Sequence, residues 1–182
     1  LAGSFLHGDL RTTAWAGAGA LTVIGGLRAT AGEWTIDPVH FAERHALFVI
    51  IALGEVLVAA GGAATEIGLD FRTVLALGVC VALACMLWWA YFAFIPEVGE
   101  RVLREATGLD RGRLARDLYT FGHFPLVFGL VLYAVVVKHL VPHPNGHLTS
   151  DDRWLLGLSV AFFVAGMSAL QFRVTRRITP ER

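Results

Sequence analysis

The sequence predicts an all-α fold, a polytopic bundle of about five membrane-spanning helices. Two observations carry that prediction: long stretches without a charge, and basic residues that gather on alternate sides of them. Between Arg72 and Glu97 lie 24 uncharged residues, Thr73 to Pro96; between Asp117 and Lys138 lie 20, and between Arg153 and Arg173 lie 19. A hydrocarbon layer ~30 Å thick is crossed by about 20 helical residues. Three such runs in 182 residues do not fit a water-soluble core. Composition agrees, with 55% hydrophobic and only 16% charged residues, against roughly 25% charged in an ordinary soluble domain.

The first span is read at 12–31, a Gly- and Ala-rich stretch between Arg11 and Arg28 that the long Arg28 side chain extends by snorkelling. The second, 42–64, is interrupted by one acid, Glu55. The third, 72–95, ends in the aromatic run containing Trp88, Trp89 and Tyr91, as expected for an interfacial belt. The fourth, 114–140, contains His123 and Pro125, and the fifth is 154–173. None alternates apolar and polar residues as barrel strands do, so the backbone must satisfy itself as helices. Segment 97–113 reads as a solvated amphipathic helix or loop, and 141–152 as a turn. The whole of 1–182 reads as a single transmembrane domain, cut from a longer chain.

Five spans put eleven basic residues on one side, including Arg101, Arg104, Arg111, Arg113 and Arg116 and the C-terminal arginines, and four on the other. The richer side, with loop 97–113 and the tail, is expected to be cytoplasmic. A net charge of zero excludes a basic nucleic-acid binder. Cys80 and Cys85 both sit in an apolar run and offer no disulfide framework. No glycine-rich nucleotide pattern is present. His139, His143 and His147 are spaced four apart, but Pro142, Pro144 and Gly146 break the helix that would align them, so neither a metal nor a cofactor is expected.

Charges left inside the spans carry the functional expectation. Glu55 lies near the centre of its run, where a carboxylate costs ~3 kcal/mol and should face protein or water. It is the leading candidate for binding a proton or small ion, with Tyr119 and His123 sharing a face on the fourth span. The competing reading is a polar group that fixes helix packing. His40, Glu43 and Arg44 on the second span and Arg116 and Asp117 on the fourth form a polar interfacial layer. Opposite sign order predicts crossed pairs, Arg44 with Asp117 and Glu43 with Arg116. Pro125 predicts a kink near 121–125. Small residues in the second span (Gly54, Ala59, Ala60, Gly61, Gly62) and first span (Gly17, Gly19, Gly25, Gly26) predict close helix crossings and a central second helix, with the fifth peripheral.

The stretch HFAERHALFVIIALGE (His40 to Glu55), with LWWAYF (Leu87 to Phe92) and RDLYTFGHFPLVFGLVL (Arg116 to Leu132), resembles the bacterial low temperature requirement A (LtrA) family over most of the chain, as its C-terminal half. The resemblance points to His40, Glu43, Arg44, Glu55, Asp117 and His123 as recurrent polar positions. Ala46 and Val56 depart from the family's Gly and Ser, and the second change removes a hydroxyl beside Glu55. The resemblance implies a multi-pass bacterial inner-membrane protein and little about chemistry. Three functions compete: a proton- or small-ion-coupled transporter using Glu55; a non-catalytic scaffold or stress-tolerance protein; and an intramembrane lipid-handling enzyme, ranked last because no nucleophile or metal motif supports it. The expected partners are the bilayer, the N-terminal helices of a longer chain and further copies of the chain.

Overall fold

The computed structural model describes residues 9–28, 37–143, 146 and 148–178. Contacts divide the chain into two units, Leu1–Gly32 and Glu33–Arg182. The first holds α1, Asp9–Arg28. The expected span ended at 31; residues 29–31, like His147 and the Arg28 side chain, lie outside what the structure describes.

The second unit contains α2 (Pro38–Ile67), α3 (Phe71–Phe92), α4 (Ile95–Glu105), α5 (Gly108–Ala115), a π-helical turn (Arg116–Phe121), α6 (His123–Leu140) and α7 (Ser150–Ile178). Among the described residues four helical stretches are long and apolar enough to cross a membrane: Pro38–Thr65, Phe71–Glu105, Gly108–Leu140 and Ser150–Arg177. The more polar α1 is not one of them, diluted by Asp9, Arg11, its threonines and its glycines. Asp37 caps α2, accepting from the Val39 and His40 amides at 2.9 and 3.3 Å, with Pro38 in the first turn, where a missing N–H costs nothing. Asp70 caps α3 through the Thr73 amide at 2.8 Å, and hydrogen bonding from Thr73 holds its carboxyl below the usual carboxylate range.

Helix α6, rather than α2, is the hub, packing along both α7 and α2. Glycine explains why. A Cβ on Gly129 would lie 2.5 Å from the Ser159 carbonyl and 2.8 Å from the Phe163 amide, and one on Gly166 would lie 2.9 Å from the Leu126 amide. Gly122 is pressed against the Leu170 side chain in the same way. These approaches bring two helix backbones together, the packing available where lipid removes any hydrophobic drive. The glycines that predicted a central α2 do the opposite: within the second unit Gly54, Gly61 and Gly62 face open space. The fifth expected span, α7, lies at the edge of the bundle as expected, yet it is closely packed along α6 and also meets α4. Tyr133 ties α6 to α3 by donating to the Cys80 carbonyl at 2.9 Å.

The kink expected at Pro125 takes the form of the π-helical turn. Proline has no N–H to offer the Phe121 carbonyl, and the turn before it holds one extra residue, with the Gly122 amide reaching back to the Asp117 carbonyl at 3.0 Å. Segment 97–113 is amphipathic as expected. Helix α4 buries Ile95, Gly99, Val102 and Leu103 and presents Glu97–Arg101 (3.3 Å) and Glu100–Arg104 ion pairs on its other side. Bidentate bonds of 2.8 Å from Arg177 to Asp110 bring the end of α7 beside α5.

The glycine contacts make a paired prediction. Gly129→Ala should destabilise the protein by about 1–3 kcal/mol, because backbone cannot move aside, whereas Gly78→Ala, with open space at its Cβ, should not. Thermal unfolding in detergent reads the contrast; equal midpoints would show that the α6–α7 approach is looser than described.

Candidate functional site

The expected site residues separate into two places. His45 and Glu55 are ten positions apart on α2, which at 1.5 Å per residue is ~15 Å along the axis.

The first place is a buried group of rings where α2, α3, α4 and the π-helical turn meet. His123 Nδ1 lies 3.0 Å from the Leu118 carbonyl, which can only accept, so that nitrogen carries the proton. Its Nε2 is then an acceptor, and the Tyr91 hydroxyl donates to it at 2.8 Å. The carbonyl is placed for this by the π-helical turn, which offers Leu118 to a side chain five residues on. Tyr119 stacks on His123 with ring centres 5.4 Å apart, and the His45 ring stands 4.9 Å from Tyr119 and 5.3 Å from His123. His45 donates from Nδ1 to the Phe41 carbonyl at 2.9 Å, leaving Nε2 as an acceptor. The Tyr119 hydroxyl is the buried side-chain atom that lacks a partner among the described residues. It lies against α4, where a Cβ on Gly99 would approach it to 3.0 Å.

The residues expected to form one polar layer pair differently in two separate groups. The crossed arrangement of Arg44 with Asp117 and Glu43 with Arg116 is not what the structure shows. Asp117 is held by its neighbour Arg116 at 3.0 Å and by Arg173 of α7. Glu43 instead meets His40, one turn away, at 3.4 Å, and Arg44 is exposed on α2. The reason is the position of α7: its close packing on α6 delivers Arg173 to the carboxylate expected to meet Arg44.

The second place is a cavity of about 470 Å³ between α2 and the end of α6, lined by Glu55, Val58, Ala59, Gly62, Ala63, Thr65 and Lys138. Glu55 is exposed to it and is not packed into the bundle. No ion pair joins Glu55 to Lys138, and neither has another polar partner among the described residues. The Thr65 hydroxyl is already committed to the Gly62 carbonyl at 2.7 Å. The cavity therefore holds two formal charges of opposite sign, neither paired within the described residues, on walls that are part polar and part apolar.

Three contributors escape sequence reasoning. Tyr91 sits in an aromatic run in which Trp88 and Trp89 face outward, and nothing local marks it as the inward member. Arg173 and Lys138 read as charges that end spans. Lys138 did carry a signal, as the one lysine among fifteen basic residues. At the turn between α6 and α7, His139 bonds Asp152 at 3.2 Å and the His143 ring bonds the His139 carbonyl at 3.1 Å. No metal-binding cluster is found among the described residues.

The profile of the family described as bacterial low temperature requirement A protein (LtrA) matches residues 1–182. An uncharacterized protein of Rhizobium meliloti (strain 1021) is 34% identical over 146 residues, which cover 80% of this chain and 35% of the relative. The aligned chain thus spans about a third of the length of that relative. No solved structure matches significantly. With four apolar helices of membrane-crossing length and a family match over its full extent, the chain is a membrane protein and belongs to the LtrA family.

Proposed function

We propose that this protein moves a small solute or ion across a bacterial inner membrane, coupled to a proton or small cation, with Glu55 as the carboxylate that binds and releases the coupling charge. One observation carries the reading: the Glu55 side chain, midway along a membrane-length helix, opens onto a cavity instead of being sealed by its own bundle. A carboxylate there costs several kcal/mol if it faces lipid, and an open polar cavity is how such a group is hydrated. A dry scaffold would pair it. Loop 97–113 and the end of α7 take the cytoplasmic side, since eleven basic residues favour that orientation over four.

The ring cluster serves this reading as a polar core of defined hydrogen bonding. His123 is poised between one donor bond and one acceptor bond, and taking up a second proton forces Tyr91 to reverse its role. The scaffold reading draws its support from the other end, where Asp117 and Asp110 are fully engaged with arginines.

Full-length protein in proteoliposomes under imposed pH and sodium gradients tests the proposal. Wild type should dissipate at least one gradient, and Glu55→Gln should reduce that flux by about two orders of magnitude, the scale of a lost proton-transfer group, while inserting normally. Wild-type vesicles as tight as empty ones, or full flux in the variant, would overturn it. Tyr91→Phe leaves His123 Nε2 buried without its donor and should cost about 1–3 kcal/mol of stability. An unchanged unfolding midpoint would mean the Tyr91–His123 bond does not form.

A further inference from the structure

We infer that the Glu55–Lys138 cavity is a binding site for a small zwitterion, a molecule carrying an ammonium and a carboxylate on a short neutral body, such as an α-amino acid. The inference deepens the transport reading by naming the substrate class, and it rests on that reading only for what the site is used for.

Charge comes first. Glu55 on α2 and Lys138 near the end of α6 line one cavity, have opposite sign, and are not in an ion pair with each other or with any other described residue. Two unpaired charges among membrane-length helices are costly, and the cost is relieved by water or by a partner for each. A simple cation held at Glu55 leaves Lys138 without a counter-charge, and a simple anion held at Lys138 leaves Glu55 without one. A molecule with both charges satisfies both residues and leaves no net charge in the cavity.

The walls set the body of the ligand. Between the two charged groups lie Val58, Ala59, Gly62 and Ala63, apolar and small, and the Thr65 hydroxyl is already engaged by the Gly62 carbonyl. Beyond the charged pair the lining offers one side-chain acceptor, the Thr65 oxygen, and no free side-chain donor, so it accepts a compact and largely aliphatic body. A volume of about 470 Å³ lies within the range of small-molecule sites, roughly 300–1,000 Å³. Gly62 leaves the cavity wide, since a Cβ there meets nothing within 4 Å.

That open space supplies a variant that blocks the cavity without disturbing the fold. Full-length protein in detergent, with no gradient, is titrated at equilibrium with radiolabelled glycine, L-alanine and L-leucine, and competed with ethylamine and propionate as single-charge fragments. At least one amino acid should bind, and neither fragment should displace it at equal concentration. Glu55→Gln and Lys138→Met should each weaken binding by about tenfold or more, the scale of one charge-assisted hydrogen bond. Gly62→Leu should abolish binding at an unchanged unfolding midpoint. Absence of binding by all three amino acids, displacement by either fragment alone, or full binding in Gly62→Leu would overturn the inference. Binding without gradient-driven flux in liposomes would leave the site standing and remove transport; flux without binding would do the reverse.

Discussion

Glu55 and Lys138 bring opposite charges into one cavity between apolar helices without neutralising each other, and the functional account depends on that standing imbalance. Elsewhere the bundle manages its charges in the ordinary way. Asp117 is shared by Arg116 and Arg173, Asp110 is held bidentately by Arg177, and the α4 acids pair one turn along their own helix. Those pairs gather at the end of the bundle where α4, α5 and the end of α7 meet. In a low-dielectric surrounding the difference matters, because an unpaired charge must be met by water, ligand or another protein surface.

The architecture that leaves the cavity open follows from where backbone touches backbone. Gly122, Gly129 and Gly166 let α6 and α7 approach closely, so α7 occupies one side of α6 and α2 the other. This placement delivers Arg173 to Asp117 and leaves the glycine-bearing face of α2 uncovered within the described bundle. The π-helical turn ahead of Pro125 then sets the Leu118 carbonyl for His123, which fixes the imidazole tautomer and hence the direction of the Tyr91 bond. A proline without an N–H, placed far from the cavity, thereby organises the polar centre of the opposite end.

Much of this was legible in the residues, and the parts that were not share a cause. Charge-free length announced the apolar helices, and the amphipathic character of 97–113 was visible in its mixed charges and spaced apolar residues. Glu55 stood out as a carboxylate in a hydrophobic run, and a cavity lies beside it. Pairing did not read through. Arg173 and Lys138 end their spans in sequence, and only the three-dimensional course of α7 and α6 shows which acid or cavity each one reaches. Glycine was misleading for the same reason. Its presence marks where a backbone can approach, and the α2 glycines face open space while three on α6 and α7 and the turn before them are used. Tyr91 was hidden among aromatic neighbours because a one-residue step on a helix turns a side chain by about 100°, from the lipid side to the core.

The most direct test of the central claim is the chemical accessibility of position 55 in the full-length protein in native membranes. In a Cys80→Ala, Cys85→Ala background, the Glu55→Cys variant should react with a charged, membrane-impermeant methanethiosulfonate about tenfold faster or more than the Val79→Cys variant, since thiolate forms only where water reaches; Val79 is exposed on the outer face of α3. A residue-55 thiol that resists the charged reagent and reacts only with a lipid-soluble maleimide would place that side chain in lipid and contradict the account.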